Sequence, residues 1–390
     1  MKVKLNKLFC WSIILTIIST QGLLIFIVFK ILGNWEFKKF IHPLSFFIIF
    51  ILFIFKSIKK ITITLLDVLF TLYFLGLFLV LLLNNDGFQS LYITFREIYL
   101  LFILVFIFQK LELNEKEWLK ILNLLFYLLI LNTLFIALTY ILGPENYMKL
   151  LTGRYQWGVD EEYGFKITNF SKFWRTPALI GNPASLGYFS ALTYLLMDQN
   201  EKFKKKKYFA LIPLFLSFVR SAYLIFIVYE FFKFFTKKKN LKKVFTILKV
   251  GIPILLITAL LLAKNKVLST ASLYARLHLW STEINVNYNI FFGGAIGNVG
   301  GGARNVGGFI ETVDSYWFYL LLSSGFTGII MVILFMYEKS KKNNKFLFIL
   351  IAFFIAGFFV NLTQSIVFLA IFPLLFVKIK KEEVIHNLEK

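Results

Sequence analysis

The chain is poor in the residues that usually carry soluble chemistry. Its one cysteine, Cys10, excludes an intrachain disulfide, and its three histidines (His42, His278 and His386) are too scattered for a zinc site. Acidic residues number 21 against 43 basic ones, and no Asp-x-Asp pair is present to hold a metal and a nucleotide sugar. A glycine-rich run from Gly293 to Gly308 lacks a following Gly-Lys-Ser/Thr and any strand-turn-helix context, so it is not a nucleotide cradle. It reads as a flexible, tight-turning loop. No metal and no cofactor is expected.

Apolar residue is plentiful instead. The 390 residues are 58% hydrophobic and 19% aromatic, with a mean hydropathy of +0.75, outside the range of soluble domains. The apolar runs have the length of membrane helices, about 20 residues for a hydrocarbon core of about 30 Å. The net charge of +22 falls in short lysine clusters at the ends of these runs. That is how positive-inside topology is written, and it excludes nucleic acid as a partner. The 49 phenylalanines fit lipid-facing and packing roles.

In order, the pattern predicts an uncleaved first helix over about 8–31, since no A-x-A site follows it. Further helices are predicted over 41–55, 61–83, 91–108, a fifth ending at Leu142, a sixth from Thr176-Pro177, and others over 244–263 and 316–337. Gly143-Pro144 stops the fifth, and Gly181-Asn182-Pro183 is expected to interrupt the sixth. Two long stretches, 208–235 and 346–377, have lysines at both ends. A single helix over the first would span about 42 Å and put one lysine cluster outside. A hairpin turning near Arg220-Ser221 keeps both inside, and the last stretch reads as a second hairpin.

The predicted fold is therefore an all-α polytopic membrane protein of about 12 transmembrane segments, including two short-helix hairpins. It forms one transmembrane domain over 1–390, with outer loops at 143–175 and 264–315, both termini in the cytoplasm, and membrane lipids around it.

Six of the 43 basic residues are arginine (96, 154, 175, 220, 276 and 304), and on this topology all six lie outside or in the outer half of a helix. A positive-inside signal alone would place arginine and lysine alike. Arginine engages two phosphate oxygens at once and cannot lose its proton. Arg175, Arg220 and Arg276 are the stronger candidates for an anion site. Arg154 and Arg304, in long loops, are better explained by solvation or by pairing with Asp160 to Glu162 or with Glu311. Arg96 beside Glu97 fits a charged pair orienting its helix, although neighbours on an α-helix do not face each other and each needs another partner. Asp314, at the end of the long loop, fits two roles: a general base for an attacking hydroxyl, or the N-cap of the next helix. His278, Arg304, Glu311 and Tyr316 are the loop and loop-exit residues expected to touch an acceptor or glycan. Asn361-Leu362-Thr363 fits a glycosylation sequon, but in an apolar stretch chance accounts for it.

The order of these motifs resembles the O-antigen and capsular polysaccharide polymerase (Wzy-type) and O-antigen ligase superfamily. The motifs are Arg175 before Gly181-Asn182-Pro183, Ser217 to Ala222 in a short hairpin, Arg276-x-x-x-Trp280 leading to Gly293-Gly294-x-x-Gly297, Val313-Asp314-Ser315-Tyr316, and Ser324 to Gly328. The resemblance covers about 175–330; earlier helices match only in hydropathy. It implies a metal-independent, GT-C-like membrane glycosyltransferase in the bacterial cytoplasmic (inner) membrane. Such an enzyme polymerises undecaprenyl-pyrophosphate-linked repeat units on the outer face for lipopolysaccharide or capsule biosynthesis. Donor and acceptor would be lipid-linked glycans, and a chain-length regulator is a further partner. The resemblance also implies that Arg175, Arg220 and Arg276 neutralise the pyrophosphate. Ligases of the superfamily tend to have histidine where this chain has Asp314, which favours polymerase. A ligase acting on lipid A core, or a lipid-linked oligosaccharide flippase, are the alternatives. A flippase fits less well, because the chain lacks the repeated halves common in transporters.

Overall fold

The computed structural model describes residues 2–33, 38–57, 63–83, 88–152, 158–159, 166–170, 173–237, 278, 289–294, 296–297, 299, 315–340 and 344–380. Its helices in chain order are α1 (Lys2–Ser19), α2 (Gly22–Ile31), α3 (Lys38–Ser57), α4 (Leu65–Leu83), α5 (Phe88–Phe95), α6 (Leu101–Lys110), α7 (Glu115–Leu142) and α8 (Pro144–Thr152). They continue as α9 (Pro183–Asp198), α10 (Leu211–Leu216), α11 (Arg220–Lys237), α12 (Tyr316–Ser340), α13 (Asn344–Phe359) and α14 (Ile366–Ile371). Two small sheets accompany them. The strands β1 (Glu112–Asn114) and β5 (Lys378–Lys380) pair in parallel, and β2 (Gly158–Val159), β3 (Lys166–Phe170) and β4 (Phe173–Arg175) form an antiparallel meander.

Among the described residues four helical segments are long and apolar enough to cross a membrane: 65–83, 91–110, 115–142 and 316–340. A fifth counts if the bent pair α1 and α2 is one span. Shorter apolar helices lie over 41–55, 346–359 and 366–376. The described residues thus give a mostly helical protein with four or five such spans, fewer than the twelve segments expected. The expected helix over 244–263 lies outside the described residues. The chain packs as two compact units: 1–64, 96–223 and 363–390 in the first, and 65–95 and 224–362 in the second.

Several helices depart from the hydropathy pattern. The first predicted helix is bent by 93° between α1 and α2. Gln21, at the bend, is fully buried. The freed amides of Gly22 and Leu23 donate to the carbonyls of Ile180 (3.2 Å) and Leu179 (2.9 Å). These two amides are thus paired again, as an apolar surrounding requires. The sixth predicted helix starts not at Thr176 but at Pro183, which sits in the first turn where a missing N–H costs nothing. Asn182 caps it by accepting from Ala184 N at 2.9 Å. Pro183 begins a helix rather than interrupting one.

Adjacent Arg96 and Glu97 lie in a π-helical turn, Arg96–Leu100, and their side chains approach to 3.7 Å. The expectation that neighbours cannot meet assumed α-helical geometry; the wider turn departs from it. Two lysines of the flanking clusters are buried. In the first unit Lys207 pairs with Asp198 at 2.6 Å and lies over the rings of Tyr194 and Tyr208. In the second, Lys339 pairs with Asp67. A buried ammonium needs such a partner because desolvation is costly.

The stretch 208–235 is broken at Ser217–Val219 between α10 and α11, close to the turn expected near Arg220-Ser221. The start of α11 folds back on α10: Tyr223 donates to the carbonyl of Phe215, and the two rings lie 5.6 Å apart. The last stretch is likewise broken, between α13 and α14. Asn361, in that break, is buried.

Candidate functional site

Arg175 is the last residue of β4, paired across the meander with Thr168. The strand is fixed to α7 by Tyr140, whose hydroxyl donates to the carbonyl of Trp174 at 3.1 Å. Beyond it the chain makes a tight turn over 176–181, in which Ala178 (φ 46°) and Gly181 (φ 90°) adopt left-handed backbone. Tyr147 on α8 donates to the carbonyl of Ala178 at 3.1 Å. Burial pushes the Tyr147 phenol well above its usual range. Arg175 is half-buried at the edge of this turn.

Arg220 is the first residue of α11, directly after the break, and is exposed. The break rests on Gly187 of α9. A methyl group there would lie 2.9 Å from Ser217 Oγ and 3.0 Å from the Cβ atoms of Val219 and Ala222. Only glycine admits that approach. Phe218 takes left-handed backbone (φ 51°) within the turn. Its ring stacks on that of Phe173 at 5.4 Å and 20°. Tyr188 of α9 and Ser221 of α11 share a hydrogen bond of 2.8 Å.

The stacked rings stand two residues before each arginine, so the stack brings the strand end and the helix start together. The guanidinium of Arg175 is held below its usual range, first by desolvation and then by the like charge of Arg220, against a smaller opposing effect of Tyr223. Two cations held near each other by strand, turn and helix suit a ligand with more than one negative charge.

The other candidates are not all in view. Arg276, Arg304, Glu311 and Asp314 lie outside the described residues, as does Arg154. His278 is exposed. Tyr316 is fully buried among Trp317 and Phe353, with ring centroids at 5.2 and 5.4 Å. Its hydroxyl is buried with the ring. The cap of α12 is Ser315, whose Oγ accepts from Phe318 N at 3.3 Å. Asp314, for which capping is the alternative expectation, lies outside the described residues. Among the described residues no three His, Cys, Asp or Glu side chains gather as metal ligands.

The Phe173–Phe218 stack has one signal in the sequence, an aromatic residue two positions before each arginine, too common here to stand out. The Tyr188–Ser221 bond has none. Nor does the sequence signal the pairing of two glycine motifs in the second unit. Asn289 and Gly293 close a small turn that docks on a break in α12 at Gly325 (φ 63°). Phe326 and Thr327 donate to the carbonyls of Ile290 (2.9 Å) and Phe291 (3.0 Å). The two glycines are close-approach points for backbone: a Cβ on either would lie 2.4 to 2.5 Å from main-chain atoms of the opposite segment.

Compared with known proteins, the chain matches no family model, no curated protein and no solved structure. What fold and site define is a mostly helical protein with helices apolar enough to cross a membrane and a two-arginine cluster at a broken helix.

Proposed function

We propose that this chain is a polysaccharide polymerase of the Wzy type, a multi-pass glycosyltransferase of the bacterial cytoplasmic membrane. In this reading it has about twelve segments, and Lys264 to Ser315 forms an outer loop over the site. The observation that carries the proposal is the approach of Arg175 and Arg220 through the Phe173–Phe218 stack. The reaction joins two undecaprenyl-pyrophosphate-linked glycans. A hydroxyl oxygen of the acceptor's non-reducing sugar attacks the anomeric carbon of the donor glycan with inversion. The bond from that carbon to the pyrophosphate oxygen breaks, and undecaprenyl pyrophosphate leaves with the electron pair. Arg175, Arg220 and Arg276 stabilise the charge that develops on it, which preorganised cations do best where water is scarce. Asp314 takes the hydroxyl proton.

Polysaccharide gels of a complemented deletion strain test the proposal. Arg220→Ala and Arg276→Ala each abolish polymer, a loss of about 10²–10³ in turnover, while the protein stays in the membrane. Normal chain lengths from either variant overturn it. Asp314→Asn stops polymerisation if Asp314 is the base; wild-type polymer removes it from the mechanism. A deletion strain that builds long lipid-linked polymer but never transfers it reassigns the chain as a ligase. Single repeat units stranded on the cytoplasmic leaflet reassign it as a flippase.

A further inference from the structure

The turn that follows Arg175 is held from three sides by groups far away in sequence. Asn132, fully buried in the middle of α7, accepts the N–H of Leu179 at 3.1 Å with its Oδ1. Its Nδ2 donates to Gln21 Oε1 at 2.9 Å and to the carbonyl of Leu128 at 2.8 Å. Gln21 in turn donates to Thr20 Oγ1 at 3.1 Å. The same bend offers the N–H groups of Gly22 and Leu23 to the carbonyls of Ile180 and Leu179. From the third side Lys166 N donates to the carbonyl of Gly181 at 2.9 Å, and Tyr147 to that of Ala178. A Cβ on Gly22 would lie 2.6 Å from the Ile180 oxygen, so the bend touches the turn directly.

Two buried amide side chains, Asn132 in an apolar helix and Gln21 at the bend between two others, are costly unless hydrogen-bonded. Here their hydrogen-bonding groups meet a backbone that has left regular structure. The 93° bend of α1 and α2 exposes the very donors that complete the set. We infer that Asn132 and Gln21 are positioning residues that fix the turn over 176–181, and through it Arg175, against the bent first helix. This rests on the reading of Arg175 as a pyrophosphate ligand, but the placement itself is testable without it.

The test uses the full chain in its membrane with Cys10→Ser, which removes the single cysteine, and Thr176→Cys as a probe. Thr176 is fully buried. Its labelling by N-ethylmaleimide should therefore be slow in the otherwise native chain. Asn132→Leu should speed labelling about tenfold through local opening of the turn, at unchanged protein level, and should shorten or abolish polymer. Asn132→Asp keeps the acceptor for Leu179 N but, as a buried neutral acid, has one O–H for the two oxygens of Gln21 and Leu128, so its labelling should be slower than that of Asn132→Leu and faster than that of the otherwise native chain. Should Asn132→Leu fail to accumulate, Gly22→Ala disturbs the same contact from the other side and should also speed labelling. Unchanged labelling in whichever of these accumulates overturns the inference. Faster labelling with polymer of normal length upholds the clamp on the turn and overturns the role given to Arg175.

Discussion

Two apolar helical stretches are broken in their interiors, one at 217–219 in the first unit and one at Gly325 in the second, and the two breaks are built differently. In the first unit the break between α10 and α11 is held mainly by side chains: Gly187 admits the turn, Phe218 stacks on Phe173, and Tyr188 bonds Ser221. In the second, the break at Gly325 is held mainly by backbone. Two freed amides go to the carbonyls of Ile290 and Phe291, and Tyr73 on α4 donates to the freed carbonyl of Ser324. The second break is further flanked by the Asp67–Lys339 pair and the Phe70–Phe335 stack at 4.4 Å, both between α4 and α12. In lipid, apolar surface gives helices little reason to associate, so close approach and polar contacts decide which ones meet. A break tied by backbone suits a fixed scaffold. A break tied by side chains presents a charged residue, Arg220, at its edge.

The comparison ranks the effects of substitution. Gly325→Val should be the most damaging, because it combines left-handed backbone with a Cβ pressed on the Phe291 main chain. About 4 kcal/mol of stability should be lost, read as a drop in thermal unfolding in detergent; a neutral result would mean the docked turn is not a fixed contact. Lys339→Met leaves Asp67 buried without its cation and should cost about 3 kcal/mol. The double variant Asp67→Leu with Lys339→Met should recover most of that loss. Gly187→Ala should cost about 2 kcal/mol by pushing Ser217 and Val219 outward, and on the proposed polymerase function it should reduce polymer in strains more than Gly325→Ala does at matched protein level. Equal effects would erase the functional distinction between the breaks. Ser221→Ala, which removes one hydrogen bond, should cost about 1 kcal/mol and leave α11 intact.

Much of the helix plan was legible in hydropathy and lysine spacing. The spans ending at Leu83 and Leu142, the stop at Gly143 and the break near Arg220 follow from composition along the chain. The starts of helices were less legible. Thr176-Pro177 and Gly181-Asn182-Pro183 offer two proline starts, and the choice fell to the one whose preceding residue, Asn182, caps the helix. The two lysine clusters misled in part, since Lys207 and Lys339 resemble their solvated neighbours until Asp198 and Asp67 are placed beside them. Of the candidate site, the sequence singled out Arg175 and Arg220 by residue type and position, while nothing in it reported what holds them.

The sequence by itself determined the class of protein. An apolar majority, the length of its runs and lysine at their ends are local properties that do not depend on the partner a residue finds. Only the tertiary structure decided how the breaks are satisfied: Gln21 with Asn132 across 111 positions, Asp67 with Lys339 across 272. The physical reason is that a polar group in an apolar setting must be paired, but any of many donors and acceptors can do it. The choice among them is made by packing, where Gly22, Gly187, Gly293 and Gly325 let one segment come close enough to another.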